Sequence, residues 1–203
     1  MNALRYFVLA SIIVLIDQII KVIVKLNLTL GQEIVVLGDW LKIHFIENKG
    51  AAFGVTLGSL FEWLLSWFSD KPAVVSEGTD KAILVVISIL AVAGIAWWMT
   101  TVAKSAPRLA NMIALILGGA IGNLIDRVFY GRWFERINDY EGGLLCGNVV
   151  DMFYIDIWSG IVPDWIPIFG GRFYALLPVF NFADLAITSA IVVIFVFYPK
   201  LTR

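Results

Sequence analysis

Six ionisable side chains stand inside otherwise apolar stretches of this sequence, and any chemistry would begin with them. They are Asp17, Lys21, Asp126, Arg127, Asp151 and Asp184. An ionisable group at the centre of a membrane costs about 2.5–3.5 kcal/mol on insertion scales, so such groups persist where they pair with one another or serve a function. These residues are therefore the first candidates for a functional site.

Asp151 and Asp184 are the two acids best suited to catalysis, because each lies where an apolar run meets a loop. Two carboxylates held together at low dielectric constant cannot both ionise, and one keeps its proton near neutral pH. The pair then offers a general base and a general acid, which together activate water against an amide bond. Spacing alone favours a simpler interpretation, in which two unrelated loop acids cap helices.

The other charged groups fit a supporting role. Asp17 and Lys21 are four residues apart, so they share one helix face and form an ion pair there; direct contact with a substrate is the alternative. Asp126 and Arg127 are adjacent and point to different faces, so each needs a partner elsewhere. With Asn123 they would form a buried polar network that joins two apolar segments to a loop.

The composition identifies the kind of element that must position these groups. Of 203 residues, 60% are hydrophobic and 15% are charged, and the mean hydropathy is +0.88. Soluble domains carry about 25% charged residues, so this composition excludes a soluble domain and disorder and indicates a polytopic membrane protein. A net charge of −1 offers no basic surface for nucleic acid, and one cysteine and one histidine exclude a disulfide framework and a His-rich metal site.

Four apolar stretches are each long enough to span a bilayer, which needs about 20 residues. The predicted spans cover about 4–24, 82–100, 109–129 and 182–198. We expect the first to be a retained span, because two charges interrupt it and no small-x-small cleavage site follows. The glycines at 118, 119 and 122 predict close helix packing in the third span.

The charge pattern predicts the orientation of these spans. Three short segments carry bases and no acid, namely those containing Arg5, Lys104 with Arg108, and Lys200 with Arg203. Short loops rich in Lys and Arg lie in the cytoplasm. Both termini are therefore expected inside, and the longer loops, about 25–81 and 130–181, outside.

The first outer loop is expected to hold a small sheet and a surface helix. Leu41, Ile43 and Phe45 alternate with polar residues, which is typical of a half-buried strand. The segment from Leu60 to Phe68 is apolar on one side and too short to span, so it should lie on the membrane surface. The predicted fold is mainly α: one membrane-embedded domain over 1–203, with four transmembrane helices, a small extracytoplasmic β-sheet and an amphipathic surface helix.

Five short motifs in a fixed order carry a resemblance to a known family. They are Asp17-Gln-Ile-Ile-Lys21, Asn48-Lys-Gly-Ala-Ala-Phe-Gly54, Gly122-Asn-Leu-Ile-Asp-Arg127, Val149-Val-Asp151 and Phe180-Asn-Phe-Ala-Asp184. Each alone is weak, but together, on a chain of four spans, they closely resemble the lipoprotein signal peptidases, or signal peptidase II, the aspartic peptidase family A8. The resemblance covers all four spans and the first outer loop.

The resemblance implies an aspartic endopeptidase of the bacterial inner membrane that cuts prolipoproteins just before their diacylglyceryl cysteine. It implies that Asp151 and Asp184 are catalytic. The positions expected to line or support the site are Asn48, Gly50, Asn123, Asp126, Arg127, Asn181, Asp17 and Lys21. Among these, Gly50 would let a ligand approach the backbone closely.

The resemblance also implies partners. These are diacylglyceryl prolipoprotein substrates, membrane lipids and the cyclic peptide inhibitor globomycin, with no cofactor, metal or nucleic acid, and the enzyme is expected to be a monomer. Two long outer stretches, about 128–148 and 155–175, look like insertions, and Asp156 in the second is an alternative partner for Asp184. A proton-coupled transporter, with the acids as relays, and a membrane scaffold are the rival functions.

Overall fold

Four long apolar helices form the body of the part of the chain that the computed structural model describes, which is residues 3–50, 77–161, 163, 165, 171 and 173–202. They are α1 (Leu4–Asn27), α2 (Glu77–Val102), α3 (Pro107–Ile125) and α4 (Phe182–Leu201). A π-helical turn, Asp126–Tyr130, and a last turn, Gly131–Trp133, extend α3. All four are long and apolar enough to cross a membrane, which confirms the prediction of four spanning helices.

The central helix is α3, which packs against the other three. Its glycines permit this, because a Cβ on Gly118 would lie 2.7 Å from the Ala10 carbonyl oxygen of α1. A Cβ on Gly119 would lie 2.5 Å from the Ala183 carbonyl oxygen of α4. Small residues let helix backbones approach closely in membranes, and the glycines do so here as predicted.

An antiparallel sheet covers one end of the helices. It consists of β1 (Glu33–Leu37), β2 (Leu41–Asn48) and β3 (Val149–Ile155), in that order. The alternation in the first outer loop predicted β2. It did not predict β3, which comes from the second outer loop and has fully buried Val150 and Met152 on one face and buried Asp151 between them.

The register of β2 against β3 determines which side chains lie on each face of the sheet. Ile46 pairs with Asp151 and Asn48 pairs with Val149, and paired residues of antiparallel strands share a face. The other face of β3 presents Val150 and Met152 to a small apolar core with Val24, Phe45, Tyr130 and Phe134. That core anchors the sheet to the ends of α1 and α3, so Asp151 on the opposite face is held in place.

A second, separate hairpin follows β3. Its strands are β4 (Ser159–Ile161) and β5 (Phe173–Ala175), with Ser159 opposite Ala175. The predicted surface helix from Leu60 to Phe68 lies outside the described residues, as does the segment from Ala51 to Gly54.

Candidate active site

Backbone pairing between β3 and the start of α4 brings the two candidate acids together. The Phe180 N–H donates to the Phe153 carbonyl oxygen at 3.0 Å, and the Phe153 N–H donates to the Phe180 oxygen at 2.8 Å. The next residue, Asn181, therefore lies beside β3. This bridge is the contact that joins the sheet to the start of α4.

Asn181 and Asp184 begin α4 with a reciprocal capping box. The Asp184 N–H donates to Asn181 Oδ1 at 2.9 Å, and the Asn181 N–H donates to Asp184 Oδ2 at 3.3 Å. Asp184 therefore does cap a helix, as the simpler interpretation predicted. Its second carboxylate oxygen is left to face the interior of the protein.

Two asparagine amides connect the Asp151 and Asp184 carboxylates. The Asn181 amide nitrogen donates to Asp151 Oδ1 at 2.6 Å and to Asn123 Oδ1 at 3.1 Å. The Asn123 amide nitrogen in turn donates to Asp184 Oδ1 at 2.9 Å. The acids are therefore part of one hydrogen-bonded group, which argues against two unrelated caps.

This group faces a cavity of about 470 Å³. Its polar lining includes Asn48, Asn123, Arg127, Asp151 and Asp184. Its apolar lining includes Ile155, Leu177, Pro178, Val179, Leu185 and Ile187. The positive charge of Arg127 interacts with both carboxylates. A ligand in this cavity would meet two acids and one guanidinium at its polar wall and aliphatic side chains elsewhere.

Burial raises the pKa of Asp151 from 3.8 to about 7. The negative charge of Asp184 raises this pKa further, while hydrogen bonds from Asn181 and Asn48 oppose the shift. Asp151 is only 2% exposed, so few water molecules are available to solvate its charged form. The carboxyl group thus retains its proton close to neutral pH, as expected for one member of a catalytic pair.

A fully buried lysine lies behind the two asparagines. The Lys21 ammonium is 2.9 Å from Asp17 Oδ2 and 2.7 Å from Asp126 Oδ2, and it donates to Asn123 Oδ1 at 2.8 Å. The predicted ion pair of Asp17 with Lys21 is present. Asp126, which was expected to need a partner elsewhere in the chain, also forms an ion pair with Lys21. Lys21 thereby fixes the amide that contacts Asp184.

The two carboxylates that pair with Lys21 also hold backbone groups of the site. The Ala183 N–H donates to Asp17 Oδ1 at 2.9 Å, next to Asp184, and the Val150 N–H donates to Asp126 Oδ2 at 3.3 Å, next to Asp151. The network therefore connects α1 and the end of α3 to both candidate acids, because the backbone N–H of the residue before each acid donates to a buried carboxylate.

Gln18 is a member of this network that the sequence analysis missed. Its amide nitrogen donates to Asp126 Oδ1 at 2.9 Å, and its oxygen accepts the Tyr130 hydroxyl at 3.1 Å. A polar amide beside Asp17 inside an apolar span was the available signal.

The remaining predicted residues differ in how close they lie to the cavity. Asn48 and Arg127 line the cavity, whereas Gly50 supports Asn48 by donating its N–H to Asn48 Oδ1 at 3.0 Å. Asp156, the alternative acid, instead pairs with the Lys42 ammonium at 3.1 Å and is 20% exposed. The geometry therefore favours Asp151 as the partner of Asp184.

Comparisons with known proteins identify the family of this chain. The lipoprotein signal peptidase of Amoebophilus asiaticus is 35% identical to this chain, over 94% of this chain and 75% of its own length. That of Porphyromonas gingivalis is 37% identical, over 95% of this chain and 83% of its own length. A solved bacterial membrane enzyme shares the fold, with a TM-score of 0.63 at 23% identity over 97% of this chain and 88% of its own. The model of the peptidase A8 family, signal peptidase (SPase) II, matches residues 9–199, so the chain belongs to the signal peptidase II family.

Proposed function

We propose that this protein is a membrane aspartic endopeptidase that removes signal peptides from diacylglyceryl-modified prolipoproteins, cutting just before the lipidated cysteine, with Asp151 and Asp184 as its catalytic residues. Family membership supports the reaction. The observation that carries the residue assignment is the hydrogen-bonded group of Asp151, Asn181, Asn123 and Asp184 at the wall of one cavity.

The two carboxyl groups divide the proton transfers of hydrolysis. One carboxylate takes a proton from water while the water oxygen attacks the carbonyl carbon of the scissile bond. The other carboxyl group gives its proton to the departing amine nitrogen of the cysteine, and the carbon–nitrogen bond breaks. The raised pKa of Asp151 suits it to the acid role, which leaves Asp184 as the base.

The other side chains at the cavity hold the substrate and the acids. Arg127 and Asn48 supply donors for peptide carbonyl oxygens, including the oxyanion that forms during attack. Asn123 and Asn181 orient the two carboxyl groups through the hydrogen bonds described above. Asp17, Lys21 and Asp126 keep these asparagines and the adjoining backbone in place.

The substrate reaches the site from within the membrane. The aliphatic part of the cavity lining, Leu177, Leu185 and Ile187 among it, suits the apolar residues and acyl chains of a lipidated signal peptide. Membrane lipids are therefore neighbours of the enzyme, and globomycin would compete for the same cavity. We further propose that a single copy is active, since both acids and their supporting network belong to one chain.

The decisive experiment replaces each acid by its amide. We expect Asp151→Asn and Asp184→Asn each to lower cleavage of a diacylglyceryl prolipoprotein by about 10³-fold, within the range of lost acid–base catalysis. The uncleaved precursor should accumulate while the variant remains in the membrane fraction.

Asp156→Asn is the matched control, because this acid lies on the same outer segment but pairs with Lys42 outside the cavity. It should process the precursor at the wild-type rate. Full processing by Asp151→Asn or Asp184→Asn would overturn the assignment. Ion flux in liposomes without cleavage would favour the transporter, and loss of stability with unchanged cleavage would favour the scaffold.

A further inference from the structure

The hairpin of β4 and β5 exposes a group of large apolar side chains. We call this group the hairpin patch: Ile157, Trp158, Ile161, Trp165 and Leu176. Ile161 is 70% exposed and Trp165 is 80% exposed. Large apolar side chains exposed together on one hairpin indicate a site of contact with another phase or molecule.

The hairpin lacks the support that would stabilise it in water. Among the described residues, β4 and β5 form a sheet only with each other, and the Leu176 N–H extends this ladder by donating to the Trp158 oxygen at 2.9 Å. An isolated hairpin of two strands is marginally stable in water. Its apolar side chains therefore require something outside the described residues to cover them.

The ends of the hairpin place it beside the membrane. It leaves the protein after Ile155 and returns at Leu177, and both residues line the cavity. The chain then pairs with β3 at Phe180 and enters the spanning helix α4 at Phe182. The interfacial region of a bilayer is roughly 5–8 Å thick on each side, and a strand of three residues reaches about 10 Å, so the hairpin lies within reach of it.

The sequence of this segment matches that environment. From Ile157 to Leu177 it carries only two charged residues, Asp164 and Arg172, and it contains Trp158 and Trp165. Tryptophan is enriched where the headgroups meet the acyl chains, because its ring is apolar and its N–H donates a hydrogen bond. The second insertion is thus better suited to lipid than to water or to a polar partner.

From these observations we infer that the hairpin patch inserts into the interfacial region of the bilayer and anchors the rim of the cavity there. Its occupant is the surrounding lipid, and neither the acyl chain of a bound substrate nor a second copy of this chain is needed to cover it. The inference does not depend on the proposed function, although it would place the cavity entrance in lipid.

Spin labels in lipid nanodiscs test this placement directly. In a Cys146→Ser background, labels at Ile161→Cys and Trp165→Cys are compared for collisions with oxygen, which concentrates in lipid, and with a water-soluble nickel chelate. Phe195→Cys, on the 87% exposed lipid-facing side chain of α4, is the lipid control. Glu141→Cys, on an exposed acidic residue of the other insertion, is the water control.

In the absence of substrate, we expect labels at positions 161 and 165 to collide more often with oxygen than with the nickel chelate, like the label at position 195. A preference for the nickel chelate like that of position 141 would overturn the inference. So would a lipid-like response that develops only after a lipidated substrate is added, or dipolar coupling between labels on two copies.

A conservative variant gives a second measurement that does not depend on labelling. Trp165→Phe should remove a component of the tryptophan fluorescence that shallow brominated lipids quench more strongly than deeply brominated ones. If the lost component is insensitive to brominated lipid, the patch faces water and the inference fails.

Discussion

At the residue scale, the proposed catalytic role depends on the environment of the Asp151 carboxyl group. Asp151 is buried beside Asp184, and its pKa rises to about 7 from 3.8. Asn181 and Asn123 keep the two carboxyl groups connected. Because the amides are themselves fixed by other groups, the geometry of the pair does not depend on the substrate to assemble it.

The raised pKa of Asp151 predicts how activity depends on pH. Hydrolysis needs one protonated and one ionised carboxyl group, so the rate should fall as pH rises through about 7, where Asp151 loses its proton. Cleavage of a fluorescent lipopeptide, measured from pH 5 to 9, should show this descending limb. Asp156→Asn should have the same profile, and a rate that stays level above pH 8 would contradict the shared proton.

The same shift has a consequence for stability. A carboxyl group whose pKa is higher in the folded than in the unfolded state stabilises the fold at low pH and loses that contribution as pH rises, here between about 4 and 7. The melting temperature of Asp151→Asn in detergent, relative to wild type, should therefore increase across this interval. The opposite trend would mean that the ionised form of Asp151 is the one stabilised by folding.

Lys21 is the residue on which the supporting network depends. Lys21→Met would leave Asp17 and Asp126 buried without a cation and would remove a donor from Asn123. Breaking a buried pair on one side costs about 3–5 kcal/mol, so we expect a marked fall in thermal stability and in cleavage.

Lys42→Met is the comparison for this change, since Lys42 forms an ion pair with Asp156 outside the core. It should leave both the melting temperature and the rate nearly unchanged. If Lys21→Met behaves like Lys42→Met, the buried network is not what holds the site.

At the element scale, the close contact of α3 with α4 sets the position of Asp184. Gly119→Val would force its Cβ against the Ala183 carbonyl oxygen, which lies 2.5 Å away and belongs to the residue before Asp184. Because that atom is backbone, α4 must move. We expect loss of cleavage together with a lower melting temperature.

Gly94→Val is a matched control within α2, where a Cβ would meet nothing within 4 Å. It should insert and cleave normally, whereas equal tolerance of both substitutions would show that the contact of α3 with α4 is not needed for activity.

At the scale of the whole molecule, the sequence predicted the parts that follow from transfer into lipid. The four spans follow from apolar length, and the Asp17–Lys21 pair from helical spacing. The strand β3 escaped prediction because its apolar face and Asp151 are both buried, so the alternation that reveals a half-exposed strand is absent. Contacts such as the Lys21–Asp126 pair join residues far apart in the chain, and no local pattern specifies them.

The orientation of the molecule is the prediction that concerns it as a whole. The segment joining α2 to α3 carries Lys104 and Arg108 and no acid, so it should remain in the cytoplasm. With the four candidate spans of the described residues, we then expect both termini inside and the sheet and the cavity with Asp151 toward the outer leaflet. In a Cys146→Ser background, a membrane-impermeant maleimide should label Asp139→Cys in intact spheroplasts and label Lys104→Cys only after the membrane is broken. Labelling of Lys104→Cys in intact spheroplasts would contradict this orientation.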